Sequence, residues 1–270
     1  MPHNNTFSRL ISTSVAAVAL AGILLVTSAK AAPINYGNLP GATVDYLQVT
    51  EDAVSAGDAP PLFGAPTVTG DSIDFDPVGF DASSQNGGAD ITDGNLKFTI
   101  DAHAGKAIKS VTIAEAGDVT LLGIAPLLSE TTFASVVTRI SVDIDEVDGN
   151  PISVVSVNGL SIPFAPSGGT YGLGTDGAGG PLFTAGWNGS LLINVNAILT
   201  ANGVSFVGGA TRVDINLDNI LTALSQQGTS ASIAKKNANG VTITVNIPEP
   251  TGGMLALLAG SLAAVWRRRG

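Results

Sequence analysis

Cysteine is absent from the 270 residues, which removes disulfides, thiol nucleophiles, iron–sulfur clusters and thiolate zinc sites. Any core must hold by packing and by sheet hydrogen bonds alone. Histidine is almost as scarce: of two, His3 belongs to the leader described below, which leaves His103. A single histidine cannot build the common zinc sites, and no G-x-S-x-G elbow supplies it with a serine. It follows an alternating stretch and precedes Gly105, so an exposed loop position is expected. Aromatic residues make up only 5% of the chain. Basic residues are few as well. Between residues 32 and 247 lie seven of the 12 bases against 21 of the 22 acids, a net charge of −14. Nucleic acid and anionic lipid are poor partners for such a surface. The acids are spread along the chain, as on a solvated acidic surface, and nothing calls for a cofactor.

Both ends differ from the middle. Arg9, the apolar stretch from Leu10 to Val26 and the small residues Ala29 and Ala31 form a Sec-type signal peptide, with cleavage by signal peptidase expected after Ala31. Ser12, Thr13 and Ser14 interrupt the apolar run and leave it short of a spanning helix. At the other end, Pro248-Glu249-Pro250 is followed by an apolar run from Met254 to Trp266 and by Arg267, Arg268 and Arg269. Thirteen residues of helix reach about 20 Å, which Gly252, Gly253 and snorkelling arginines extend to a marginal membrane span, and the three arginines favour a cytoplasmic end.

From Ala32 onward no stretch keeps a helical apolar period; the signal is alternation. Leu96, Phe98 and Ile100 oppose Lys97, Thr99 and Asp101; Ile140, Val142 and Ile144 oppose Ser141, Asp143 and Asp145. The same holds for Leu191, Ile193 and Val195, where Leu192 suggests a strand partly covered on its second face, for Val213, Ile215 and Leu217, and for Val241 to Ile247. One polar face with a period of two is the mark of antiparallel sheet packed on one side. Asp93-Gly94, Gly117-Asp118, Asp148 to Pro151, Asn158-Gly159 and Asn239-Gly240 read as turns. The clearest hairpin runs from Ser135 through the turn at Asp148 to Val157. Asn219 to Gln227, preceded by Asp218, fits either a short helix or a continuation of the strand before it. Asp58 to Pro77, with four prolines, reads as irregular or edge-hugging, and the glycine-rich Ser167 to Gly180 as a loop.

Candidate chemistry is thin. Gly172 to Gly177 matches G-x-G-x-x-G but is followed by Ala178-Gly179-Gly180-Pro181, which cannot start the helix that a dinucleotide site needs. Asp143, Asp145 and Asp148 are weak calcium candidates, because their spacing departs by one residue from the D-x-D-x-D-G loop and a solvent-facing strand with a hairpin turn explains them more simply. Asp71, Asp74 and Asp76, and Asp90, Asp93 and Asn95, are weaker still. Asn188-Gly189-Ser190 fits the N-glycosylation pattern. Carboxylate pairs of the glycosidase kind have no signature in sequence, only in geometry.

The order Pro248-Glu249-Pro250, apolar segment, arginine cluster at the extreme C-terminus, with a Sec signal at the other end, resembles the sorting signal of PEP-CTERM proteins. The resemblance covers residues 248–270. It implies a Gram-negative bacterium, recognition of the motif by an exosortase, processing near it, and delivery to the cell surface or to an exopolysaccharide matrix. Residues 225–247 also look like the β-rich domains that precede such signals.

The expected organisation is therefore a signal peptide (1–31), an exported domain (32–247) and a sorting signal with a transmembrane helix (248–270). The expected fold is an all-β antiparallel β-sandwich, jelly-roll-like, flanked by the two apolar segments. The expected role is that of a non-enzymatic surface or matrix protein. A carbohydrate-binding or calcium-dependent adhesive module is the alternative, and a carboxylate-dependent hydrolase a more remote one.

Overall fold

The computed structural model describes residues 31–55, 57–123, 132–173, 182–236 and 240–247. The signal peptide up to residue 30 with Ala29, the sorting signal with Pro248 to Pro250 and Arg267 to Arg269, the second half of the glycine-rich stretch (174–180) and Asn239 lie outside the described residues. Among the described residues no helix is long and apolar enough to cross a membrane.

Among the described residues fifteen strands, all paired antiparallel, form two sheets. In chain order they are β1 (Ile34–Pro40), β2 (Val44–Ala53), β3 (Thr67–Thr69), β4 (Ser72–Phe75), β5 (Asp81–Gln85), β6 (Ala89–Ala102), β7 (Ser110–Leu122), β8 (Phe133–Val147), β9 (Asn150–Ser161), β10 (Phe164–Ala165), β11 (Thr170–Gly172), β12 (Leu182–Asn194), then helix α1 (Val195–Ala201), β13 (Ala210–Leu224), β14 (Ser230–Lys235) and β15 (Val241–Asn246). The first sheet has the order β1-β2-β6-β13-β8-β11, with β9 also on β8. The second has the order β10-β12-β7-β15-β4-β3, with β14 and then β5 also reached from β7.

The alternation decides which faces meet. Leu96, Phe98 and Ile100 of β6, Val213, Ile215 and Leu217 of β13, and Ile140, Val142 and Ile144 of β8 are buried against Val111, Ile113, Val119 and Leu121 of β7 and Val241, Ile243 and Val245 of β15. The residues between them face outward. A one-residue slip of any central strand would exchange the two sets, so the register is fixed by burial.

Strand β7 forks the second sheet. Along one edge, Ser110 to Glu115 pair with β15, whereas Gly117 to Leu122 pair with β14. At the fork itself, the Ala116 amide donates to the Gly240 carbonyl at 3.1 Å and its carbonyl accepts from Lys236 at 2.9 Å. Two short strands thus share one long one without leaving the intervening backbone groups unpaired.

The hairpin expected after Ser135 is present, with a tighter turn: Asp148 (φ 50°) and Gly149 (φ 74°) alone connect β8 to β9. Both conformations are left-handed, as a two-residue hairpin turn requires. Residues 219–224 continue β13, so the strand reading holds there and the helix starting at Asp218 does not form. Asp58 to Pro77 is irregular up to β3 and β4, which close one edge of the second sheet, as the prolines imply.

Five expectations are corrected. Asp93-Gly94 lies inside β6, because Gly94 makes room for the Phe80 ring, whose Cε2 would stand 2.7 Å from a Cβ there. Gly117-Asp118 lies inside β7 for a similar reason involving Trp187. Asn158-Gly159 is a bulge in β9 rather than a turn: the register shifts by one residue between Leu160 and Val157, with Gly159 at φ 75°. The alternation through Val195 and Asn196 ends early, since the Asn194 side chain accepts from the Ala197 amide at 2.9 Å and caps α1. Leu192 is 63% exposed, so the second face of β12 is not covered there.

Candidate functional site

The outward face of the first sheet carries polar side chains in cross-strand rows. One row runs Thr50, Lys97, Asn216, Ser141; the next runs Leu47, Thr99, Asp214, Asp143; a third runs Asp52, Asn95, Asp218, Arg139. Directly opposed residues on one face have Cβ atoms about 4.5–5.5 Å apart, so each row is a near-continuous band of donors and acceptors. Across the first two rows lies an open groove of about 420 Å³, lined chiefly by Lys97, Thr99, Asp143, Asp214 and Asn216. It continues into a smaller hollow of about 260 Å³ between Asp145, Arg212 and Leu47.

Two bulges raise its walls. On β2 the register shifts between Leu47 and Thr50, with Gln48 at φ 52°, and on β9 the shift at Asn158-Gly159 places Asn158 on the opposite side. Gln48 and Asn158 both line the groove. A bulge twists its strand and re-aims one side chain, which is how a pleated sheet acquires a trough.

Hydrogen bonds pre-position several of these side chains, one within the groove and two from residues beside it. Thr99 donates to Asp214, Asn95 donates to Asn216 Oδ1 at 2.7 Å, and Arg212 Nε lies 3.3 Å from Asp101. Burial and the neighbouring Asp214 raise the Asp145 carboxyl above its ordinary value. Asp93, beside the third row, and Asp218 are hydrogen-bonded to each other; burial and the Asp218 charge push Asp93 up to about 6. Both causes disfavour the ionised form, so the folded chain holds a proton on Asp93 that the unfolded chain has already released. Stability contributed by this group is complete below the ordinary carboxylate range and falls as pH rises towards about 6. The Asp93 carboxyl followed by carbon-detected NMR should titrate near 6, and in Asp218→Asn its midpoint should drop part of the way back, burial remaining. An ordinary midpoint in the unsubstituted protein would contradict the pairing.

The calcium candidates do not converge. Asp143 faces the groove and Asp145 the adjoining hollow, while Asp148 at the hairpin turn accepts from the backbone amides of Val207, Gly208 and Gly209 at 2.7, 2.7 and 3.0 Å. Those amides hold its carboxyl below the ordinary range. Asp71 accepts from the Thr43 amide and hydroxyl, each at 2.6 Å, and Asp74 from Thr242 at 2.6 Å; Asp90 accepts from the Ser83 amide at 2.8 Å. Among the described residues no three histidine or acidic side chains gather as a metal site would need. His103 sits half-exposed after β6 with Nε2 3.0 Å from Asp45. A cavity of about 520 Å³ lies beside it, between Lys106, Glu146 and Val207. Asn188 is exposed on β12.

No protein-family model matches the chain, and no curated protein does. Among solved structures, the enzymatically active domain of bacteriophage CBA120 tailspike protein 4 is similar over 73% of this chain at 15% identity and a TM-score of 0.20; the chain spans 18% of that protein's length. A carbohydrate-binding module, TmCBM61, solved with β-1,4-galactotriose, is similar over 73% of this chain and 82% of its own at 10% identity and a TM-score of 0.17. A family 12 xyloglucanase from Bacillus licheniformis is similar over 80% of this chain and 99% of its own at 7% identity and a TM-score of 0.20. Likenesses this distant establish neither family nor activity.

A second polar cluster is buried between the sheets. Glu115 of β7 and Lys235 of β14 are both fully buried and in contact through Oε2 and Nζ. Thr138 of β8 lies with its hydroxyl 3.0 Å from Glu115 Oε2 and 3.3 Å from Oδ1 of Asn219 on β13. Lys235 Nζ also stands 5.3 Å from the Phe80 ring and 5.6 Å from the Trp187 ring. Burial lowers the Lys235 pKa and Glu115 opposes the shift. None of the sequence motifs includes this cluster. A signal was nonetheless present: Glu115 and Lys235 stand in phase with Val111, Ile113 and with Ala231, Ile233 on the inward faces of their strands.

Proposed function

We propose that this chain is an exported, non-catalytic surface or matrix protein whose jelly-roll-like sandwich binds a neutral polysaccharide along the groove of the first sheet. The groove carries the reading. Its rows of hydroxyl, amide and carboxylate groups suit the alternating hydroxyls of a sugar chain, and the bonds from Thr99 to Asp214 and from Asn95 to Asn216 hold two of them in place before binding. Phe98 is the aromatic residue at its floor and is 3% exposed, so recognition there rests on hydrogen bonds rather than on ring stacking. The net charge of −14 over residues 32–247 argues for an uncharged ligand over an acidic one. The alternation of the chain between the two sheets supports the jelly-roll-like description.

Titration calorimetry against a panel of neutral and acidic glycans tests it. Binding to a neutral glycan is expected, weakened about tenfold or more in Asp214→Ala and Asn216→Ala, since each removes groups worth on the order of 1–3 kcal/mol. Thr120→Ala on the outer face of the other sheet should leave it unchanged. Silence across the panel would reject the reading. Appearance of new reducing ends would replace binding with hydrolysis, for which Asp143 opposite Asp214 would be the pair to substitute.

Delivery belongs to the same proposal. The motif Pro248-Glu249-Pro250 would be read by an exosortase while the apolar run and Arg267 to Arg269 hold the chain in the inner membrane. In the native host, Glu249→Ala with Pro250→Ala should abolish processing and leave the precursor in the membrane fraction. Unchanged surface delivery of that variant would refute the sorting role.

A further inference from the structure

In the first sheet, Gly94, Asn219 and Thr138 form one inward-facing row across β6, β13 and β8. The Phe80 ring stands over Gly94, and the Glu115 carboxylate is hydrogen-bonded by Thr138. Lys235 Nζ is held against both Phe80 and Glu115, which places it over the middle of the row, where Asn219 lies. Asn219 is fully buried, and its Nδ2 and the Oε1 of Glu115 have no hydrogen-bond partner. A lysine and a carboxyl group in contact thus share with a carboxamide a buried pocket walled by Phe80 and Trp187. A buried ion pair with two orphan polar atoms is a poor stabilising device, because the desolvation cost rivals the attraction. The same arrangement is well made for chemistry.

We infer that this cluster forms an amide bond between Lys235 Nζ and Asn219 Cγ, tying β14 of one sheet to β13 of the other. In water neither group reacts: the amine is protonated and the carboxamide is a weak electrophile. In the pocket, transfer of one proton from Nζ to Glu115 leaves two neutral groups, which burial favours. The free amine attacks Asn219 Cγ while the Thr138 hydroxyl, 3.3 Å from Oδ1, supports the developing negative charge. Glu115 then passes its proton to the departing nitrogen and takes up the second proton that Nζ sheds on becoming an amide nitrogen, so that it acts as acid and base in turn and ends protonated. One C–N bond forms, one C–N bond breaks, and ammonia leaves; no oxidant, metal or cofactor takes part. Proximity supplies the drive, since the fold has already met the orientational cost.

The test is peptide mass analysis of the full-length chain, purified and then denatured. No Lys or Arg lies between Arg212 and Lys235, so trypsin should ordinarily release Val213–Lys235. With the bond in place, Lys235 resists cleavage and the peptide should extend to Lys236, lighter by one ammonia, with no backbone fragments released between Asn219 and Lys235. Asn219→Asp should form the same link with loss of water, and Glu115→Gln should leave Lys235 cleavable. An unmodified Val213–Lys235 peptide from the folded, unsubstituted protein overturns the inference. A link joining Lys235 to the Glu115 peptide with loss of water overturns the assignment to Asn219.

Discussion

Measured against chains whose Lys235 is not yet linked, replacing Lys235 with methionine should lower the free energy of unfolding by about 3–5 kcal/mol, the usual cost of leaving one partner of a buried ion pair behind. Glu115 is fully buried, and removal of Nζ leaves its carboxylate with Thr138 as its hydrogen-bond donor. Methionine fills much the same space and keeps the contacts with Phe80 and Trp187, so the loss measures charge rather than volume. Equilibrium denaturation at neutral pH is the measurement. Adding Glu115→Gln to the variant should recover a good part of the loss, because the amide carries no charge into the core. A methionine variant as stable as the parent would mean that the pair is solvated in the folded protein, and the burial described above would be wrong.

Gly117→Ala should be comparably damaging, at about 3–5 kcal/mol, and for a different reason. Gly117 faces Trp187 directly across β7 and β12. A methyl group there would stand 2.0 Å from Trp187 Cζ2 and 2.2 Å from the Ala234 carbonyl oxygen. The ring has nowhere to go, being 1% exposed, and the carbonyl belongs to the backbone of β14. Gly186→Ala, its neighbour on β12, meets nothing closer than 3.5 Å and should be nearly silent. Trp187→Leu combined with Gly117→Ala should restore little, since the clash with Ala234 persists. Thermal melts of the four proteins would show whether the strand crossing is as tight as this.

How much was legible in the sequence follows from what alternation can and cannot carry. Where apolar and polar residues alternated, as in β6, β8, β13 and β15, strand and facing were both correct. Three of the five corrections come from glycine read as punctuation. Gly94 and Gly117 are not turns; each is the small partner of a large ring, Phe80 and Trp187, and the partner lies on another strand whose position local sequence does not announce. Reading Gly117-Asp118 as a turn also cut β7 in two and concealed that Glu115 falls on its inward face. The groove was out of reach for a related reason. Its walls depend on one extra residue in each of β2 and β9, and a bulge becomes visible only against the strand beside it.

Strand β15 bears on how the molecule would carry a load. It lies inside its sheet, with Val241 to Asn246 hydrogen-bonded to β7 along one edge and Val241 to Thr244 to β4 along the other. Residue 247 follows at once, so tension applied from the C-terminal side enters the fold along the axis of this strand. The ladder bonds on both edges are then loaded in shear and must fail together. Strand β1, at the outer edge of the other sheet, is held along one side only and would peel bond by bond if pulled sideways from the N-terminal end. The two ends of the domain are thus mechanically unequal, and the stronger grip is on the end that leads to the tail.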